Sequence, residues 1–158
     1  MWRVALWHPL VVHFPIALLL VGTLLRLIGA FVSSVSFTKP AGRTLLVLGV
    51  VGAWVAIYTG TQAYYAVVRT LCDPTVADSH ARFAYWTAYL FTAGLFLDGL
   101  LWFDLLPGAY DSILNGLLCV TLLTGSAYLG YAGHLGSRLV YQQAAAVHQP
   151  TPHCQEFM

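Results

Sequence analysis

The stretch His8-Pro-Leu-Val-Val-His-Phe-Pro-Ile-Ala-Leu-Leu-Leu20 decides the fold. Two histidines and two prolines stand at the mouth of an apolar run that continues to about Phe31. A run of that length crosses a bilayer, which takes roughly 20 apolar residues. It is too long for a signal-peptide core and no small-residue cleavage site follows, so a retained helix is expected. Imidazole suits lipid poorly, so these histidines are expected to face protein, a cofactor or the interface.

Working outward, the 158 residues are 59% hydrophobic and only 8% charged, and the formal net charge is +1. The mean hydropathy is +0.74. Soluble domains carry about 25% charged residues, so the composition is that of a membrane protein. A near-neutral chain has no electrostatic footprint for nucleic acid. Cys72, Cys119 and Cys154 form no Cys-x-x-Cys-His, which argues against covalent haem attachment.

Apolar runs at about Leu10–Phe31, Leu45–Val68, Phe83–Phe103 and Ile113–Tyr131 each reach spanning length. Short polar links separate them: Ser33 to Gly42, Arg69 to Asp78, and Leu106 to Asp111. Links this short make neighbouring helices antiparallel. The expectation is an all-α, integral-membrane up-down four-helix bundle over residues 1–134. Residues 135–158 are expected to form a short interfacial helix and a polar tail. Pro9 fits the first turn of helix 1, with His8 at its cap, and Asp73-Pro74 reads as a capped start for helix 3, with Asp78 as the alternative cap. Pro15 is expected to kink helix 1 near His13. Helix 4 carries Gly116, Gly125, Gly130 and Gly133, which allow close approach of another helix or a flat ligand.

Counting crossings brings the histidines together. If helix 1 starts at face A, then His8 and His13 open helix 1, His80 opens helix 3 and His134 closes helix 4, all at that face. His148 and His153 follow in the tail on the same side. Haem b held by two axial histidines from facing helices is the first chemistry to consider, because bundle cores build such sites from inward side chains. The aromatics Phe14, Tyr64, Tyr65, Phe83, Tyr85 and Trp86 and the glycines Gly130 and Gly133 are placed to surround it. A Zn or Cu site of three or four imidazoles, or a pigment, is the alternative. Structural histidines that bind no cofactor are the third reading. His13 lies one turn deeper than His8, and the two are about 140° apart around the helix, so the second ligand should come from elsewhere. His13 with His80 or His134 is the favoured pair, and a more crowded two-haem site using His8 as well is the alternative.

At these residues the chain resembles the four-helix bacterial membrane family called domain of unknown function 2231. The stretch His8 to Leu18 resembles that family's opening signature, and Ala132-Gly-His-Leu135 with Arg138-Leu-Val-Tyr141 its closing pattern. His80 matches a histidine near the start of the family's third helix. The likeness covers about Trp7–Val147, and departs from the pattern in the spacing after His134 and in Ala144-Ala-Ala146. The resemblance implies a setting among bacterial electron-transfer membrane proteins, sometimes joined to cytochrome c or Rieske modules.

Arg26 and Asp98 lie at matching depth near face B and are expected to form an intramembrane ion pair, fixing helix register or serving a proton or quinone route. Lys and Arg counts weakly favour face A in the cytoplasm, whereas the cytochrome c fusions implied by the resemblance favour the periplasm, which is the reading adopted. There Cys72 and Cys154 would be free to pair. Trp2, Trp7, Trp86 and Trp102 read as interface anchors, and Trp54 sits mid-helix. The functional expectation is a haem b electron-transfer subunit in the bacterial inner membrane. It would sit within a larger respiratory or photosynthetic complex, with other redox subunits and quinone or cytochrome c as partners. A non-catalytic accessory subunit is the alternative. No nucleophile–base motif supports a stand-alone enzyme, and transport is weakened because no internal repeat or broken central helix is evident.

Overall fold

A computed structural model describes residues 6–32 and 34–147. Its helices are α1 (Trp7–Phe31), α2 (Thr38–Val67), α3 (Pro74–Trp102) and α4 (Asp111–Gln143), with 3₁₀ turns at Val68–Thr70 and Gly108–Tyr110. No strand occurs among the described residues. His148, His153, Cys154 and the rest of the expected tail from 148 onward lie outside them, as does Trp2.

The helix ends follow local chemistry. Leu6, not His8, precedes α1, so His8 and Pro9 both fall inside its first turn. The missing N–H of Pro9 costs nothing there, because first-turn amides have no intrahelical partner. Asp73 caps α3, its carboxylate accepting from the Thr75 amide at 3.0 Å and the Thr75 hydroxyl at 2.6 Å, with Pro74 opening the helix. Asp78 is therefore released from capping and instead accepts the Tyr64 hydroxyl at 2.9 Å. Residues expected to form a separate interfacial helix simply continue α4 to Gln143. It ends where Ala144 turns left-handed at φ 51, with the amides of Ala144 and Ala145 closing on Val140 and Leu139. The helices exceed the apolar runs because apolarity marks the hydrocarbon layer, whereas a helix continues through the interface until a cap or turn stops it.

Close contacts set the helix directions. Gly60 meets His8, Gly52 meets Pro15, Gly22 meets Leu46 and Gly29 meets Lys39, so α1 and α2 run antiparallel. Gly94 meets Leu122, Gly125 meets Phe91 and Gly136 meets His80, which gives the same arrangement for α3 and α4. The core is built from these contacts: Leu19, Leu46, Phe91 and Leu122 have 0% exposure, and each lies against a glycine of the facing helix. Contact within each hairpin is extensive and contact between the hairpins is much thinner.

Three of these segments, Trp7–Phe31, Thr38–Thr70 and Gly108–Gln143, are long and apolar enough to cross a membrane. The 29 residues of α3 are also long enough, but Tyr85, Trp86, Tyr89 and Asp98 dilute its hydropathy. Leu24, Val51, Phe96 and Val120 project outward from mid-helix positions, as a lipid-facing surface requires.

Candidate cofactor site

At the end of the molecule where α1 and α3 begin, His8 and His80 meet across the seam between the two hairpins. Their ring centroids are 6.0 Å apart and the ring planes are inclined by 80°. Each ring is fixed by the second helix of its own hairpin. His8 Nδ1 lies 2.9 Å from the carbonyl oxygen of Ala56 on α2, and His80 Nδ1 lies 2.9 Å from that of Ala132 on α4. A carbonyl only accepts, so Nδ1 carries the proton in both rings, and in the neutral imidazole the lone pair is left on Nε2. Gly60 and Gly136 make room: a Cβ at Gly60 would stand 3.0 Å from the His8 ring, and one at Gly136 would stand 3.3 Å from His80.

The two rings line a cavity of about 700 Å³ walled by all four helices, with Tyr64 and Tyr65 from α2, Tyr85 from α3 and Gly133 from α4. A smaller pocket of about 80 Å³ continues from the rings toward Pro15 and Leu19. The walls are largely apolar, and Asp78 with Tyr64 supplies a polar edge. The volume falls in the usual range for small-molecule and cofactor sites.

The other predicted residues are placed differently. His13 lines the cavity but is exposed, and its Nδ1 turns back 2.6 Å to the carbonyl of Pro9 on its own helix. His134 is exposed beside Tyr131, with ring centroids 6.2 Å apart, and lies outside the cavity wall. The meeting pair is therefore His8 with His80, not His13 with either partner. Depth along the helix favours His13, but the absolute rotation of α1, set by its packing on α2, turns His8 toward α2 and the seam and leaves His13 on the exposed side. Phe14 is exposed, and Phe83 packs on Tyr128 and Tyr131, so neither borders the cavity. Among the described residues no group of three His, Cys, Asp or Glu side chains converges, so a Zn or Cu site of three or four imidazoles is not assembled there. The sequence reading misses Ala56 and Gly60 and gives Ala132 and Gly136 no part in holding His80, although the Ala-x-x-x-Gly spacing at both places is visible.

At the opposite end Arg26 Nη2 stands 2.5 Å from Asp98 Oδ1, with 3% and 0% of the two side chains exposed. The contact is one of charge and not an aligned hydrogen bond. Arg43 Nε donates to Asp98 Oδ2, and its guanidinium stacks on Trp102 at 3.7 Å. The sequence reading pairs only Arg26 with Asp98, yet Arg43 is the third member of this cluster. Two arginines on one aspartate leave a net positive charge. Thr23 Oγ1 and Arg26 Nε and Nη1 have no hydrogen-bond partner among the described residues.

A family model described as a predicted membrane protein, DUF2231, matches residues 6–149. The chain belongs to this family. Neither the curated proteins nor the solved structures yield a match to this DUF2231 protein. What its cavity does must therefore be argued from the side chains.

Proposed function

We propose that this DUF2231 protein is a membrane electron-transfer subunit whose four helices cross the bilayer up and down. His8 and His80 would hold haem b at face A. The observation that carries this reading is the pair of facing imidazoles, one from each hairpin. Each is anchored through Nδ1 to a carbonyl and so presents an Nε2 lone pair beside an apolar cavity. Metal-binding histidines characteristically donate the other ring N–H in this way, which fixes tautomer and orientation. Haem iron in such a setting supplies a one-electron carrier. The chain's own contribution is to set both rings, exclude water with apolar walls, and leave Gly133 without a side chain where a flat ligand would lie. The proposed setting is the bacterial inner membrane with face A in the periplasm. The proposed partners are other membrane redox subunits, with quinone or cytochrome c as electron donor or acceptor.

A second reading rests on the same hydrogen bonds. His8 to Ala56 and His80 to Ala132 already tie the two helices of each hairpin, so an accessory subunit with structural histidines would use them too. A dithionite-reduced minus oxidised spectrum of the purified protein, with pyridine haemochrome quantitation, separates the two. A b-type signal lost in the His8→Ala/His80→Ala double variant is expected. A flat wild-type spectrum with no metal by elemental analysis would establish the accessory reading.

A further inference from the structure

The contacts that place the histidines and the core leucines and phenylalanine recur in both hairpins. His8, Leu19, Gly22 and Arg26 on α1 stand 72 positions before His80, Phe91, Gly94 and Asp98 on α3. Leu46, Gly49, Ala56 and Gly60 on α2 stand 76 positions before Leu122, Gly125, Ala132 and Gly136 on α4. The interactions map as well as the numbers. Leu19 fills the space at Gly49 as Phe91 fills that at Gly125, and Leu46 lies on Gly22 as Leu122 lies on Gly94. His8 bonds the Ala56 carbonyl and packs on Gly60, while His80 bonds Ala132 and packs on Gly136. Burial follows the same offsets, with Pro15 matching Thr87, Thr38 matching Leu114 and Gly42 matching Leu118.

We infer that the chain is a tandem repeat of one helical hairpin. Its pseudo-two-fold axis lies between His8 and His80 and between Arg26 and Asp98, so that the two imidazoles are equivalent ligands closing both sides of one centre. Because α1 and α3 run the same way, the axis is parallel to the helices, as in parallel-repeat membrane proteins. The part concerning the centre rests on the haem reading. If the two rings have matching positions, anchors and floors, neither side is left open, and the centre carries electrons without binding a small exogenous ligand. The repeat itself rests on packing alone. It also places a counterpart for the unpaired member of the ion cluster: Arg43, which reaches from α2 to Asp98 on α3, maps to Cys119 on α4, opposite Arg26 on α1.

Two readouts on the full-length protein test this. Carbon monoxide added to the reduced wild type should leave the haem spectrum unchanged. His8→Ala and His80→Ala should each make it carbon monoxide-sensitive, to the same extent. A shift in the wild type, or sensitivity in one variant alone, would overturn the equivalence of the ligands. The second readout needs no haem. The Arg26→Asp/Asp98→Arg exchange leaves Arg43 facing a new arginine and should lower the thermal midpoint. Adding Arg43→Cys and Cys119→Arg, which moves that arginine to its counterpart, should restore most of the loss. Failure to restore it would overturn the repeat. Restoration in a protein that binds no haem would uphold the repeat and reject the haem reading.

Discussion

At the scale of single residues, two glycines control the site. A Cβ at Gly60 would lie 3.0 Å from both Nδ1 and Cε1 of His8, tighter than ordinary van der Waals contact, so the ring must give by a few tenths of an ångström against its hydrogen bond to the Ala56 carbonyl. With haem b at the site as proposed, Gly60→Ala is expected to lower its occupancy several-fold while the protein stays folded, as read by haemochrome per mole of protein. Unchanged occupancy would mean that the His8 ring position is immaterial. Asp73 gives a pH prediction. The Thr75 hydroxyl and then the Thr75 amide hold its carboxyl below the usual carboxylate value. Its contribution is therefore complete above the unfolded pKa of about 3.9 and fades as pH falls through the lower folded value. Amide exchange in the first turn of α3 should accelerate below about pH 4 in the wild type, and should be fast and insensitive to pH over that range in Asp73→Ala once intrinsic exchange rates are divided out. The cap was legible in the sequence because Asp-Pro at a helix start is a local signal. The meeting of His8 with His80 was not, because the side of α1 from which His8 projects depends on where α2 lies.

At the scale of elements, α1 and α2 touch backbone to backbone. A Cβ at Gly42 would stand 2.9 Å from the Arg26 amide nitrogen and 3.0 Å from the Gly22 carbonyl oxygen. Neither atom belongs to a flexible side chain, so the helices must separate. Gly42→Ala is expected to destabilise the protein by about 1–3 kcal/mol, the usual cost of overpacking, measured as a lowered midpoint in denaturant titration in detergent. Gly116, where an added Cβ meets nothing within 4 Å, is the control, and its alanine variant should be neutral or mildly stabilising. Sequence placed all four helices because their apolar runs are long. It misplaced their ends because Lys39, Pro40 and Gly42 read as a link although they lie in the first turns of α2. Proline and a charge are tolerated there, since first-turn amides lack partners and a lysine stem can reach the interface.

At the scale of the whole molecule, the hairpins are joined by His8 and His80 at one end and by the Arg26–Asp98–Arg43 cluster at the other. Asp98→Asn leaves two guanidiniums without a counter-charge, one of them 3% exposed. Removing one partner of a buried ion pair costs about 3–5 kcal/mol. The variant should therefore unfold earlier and show faster proteolysis in the α2–α3 link than in either hairpin. Sidedness has its own test: Cys72 is exposed at the histidine end, and a membrane-impermeant thiol reagent should label it in intact cells if that end is periplasmic. Labelling only after lysis would place the site in the cytoplasm. The sequence by itself determined the membrane class, the four helices of the described residues and the gathering of histidines toward one end, because hydropathy, turn signals and crossing parity are local or additive properties of the chain. Only the tertiary structure decided which imidazoles meet, that Arg43 joins the ion cluster, and that the two hairpins repeat one another. His8/His80, Gly22/Gly94, Leu46/Leu122, Gly49/Gly125, Ala56/Ala132 and Gly60/Gly136 keep their residue, but they are scattered through a chain of unrelated apolar side chains at two different offsets, and at the other two pairs only the packing role is kept: Leu19 answers to Phe91 and Arg26 to Asp98. A shared role of that kind becomes visible only when the opposite glycine or opposite charge is in place.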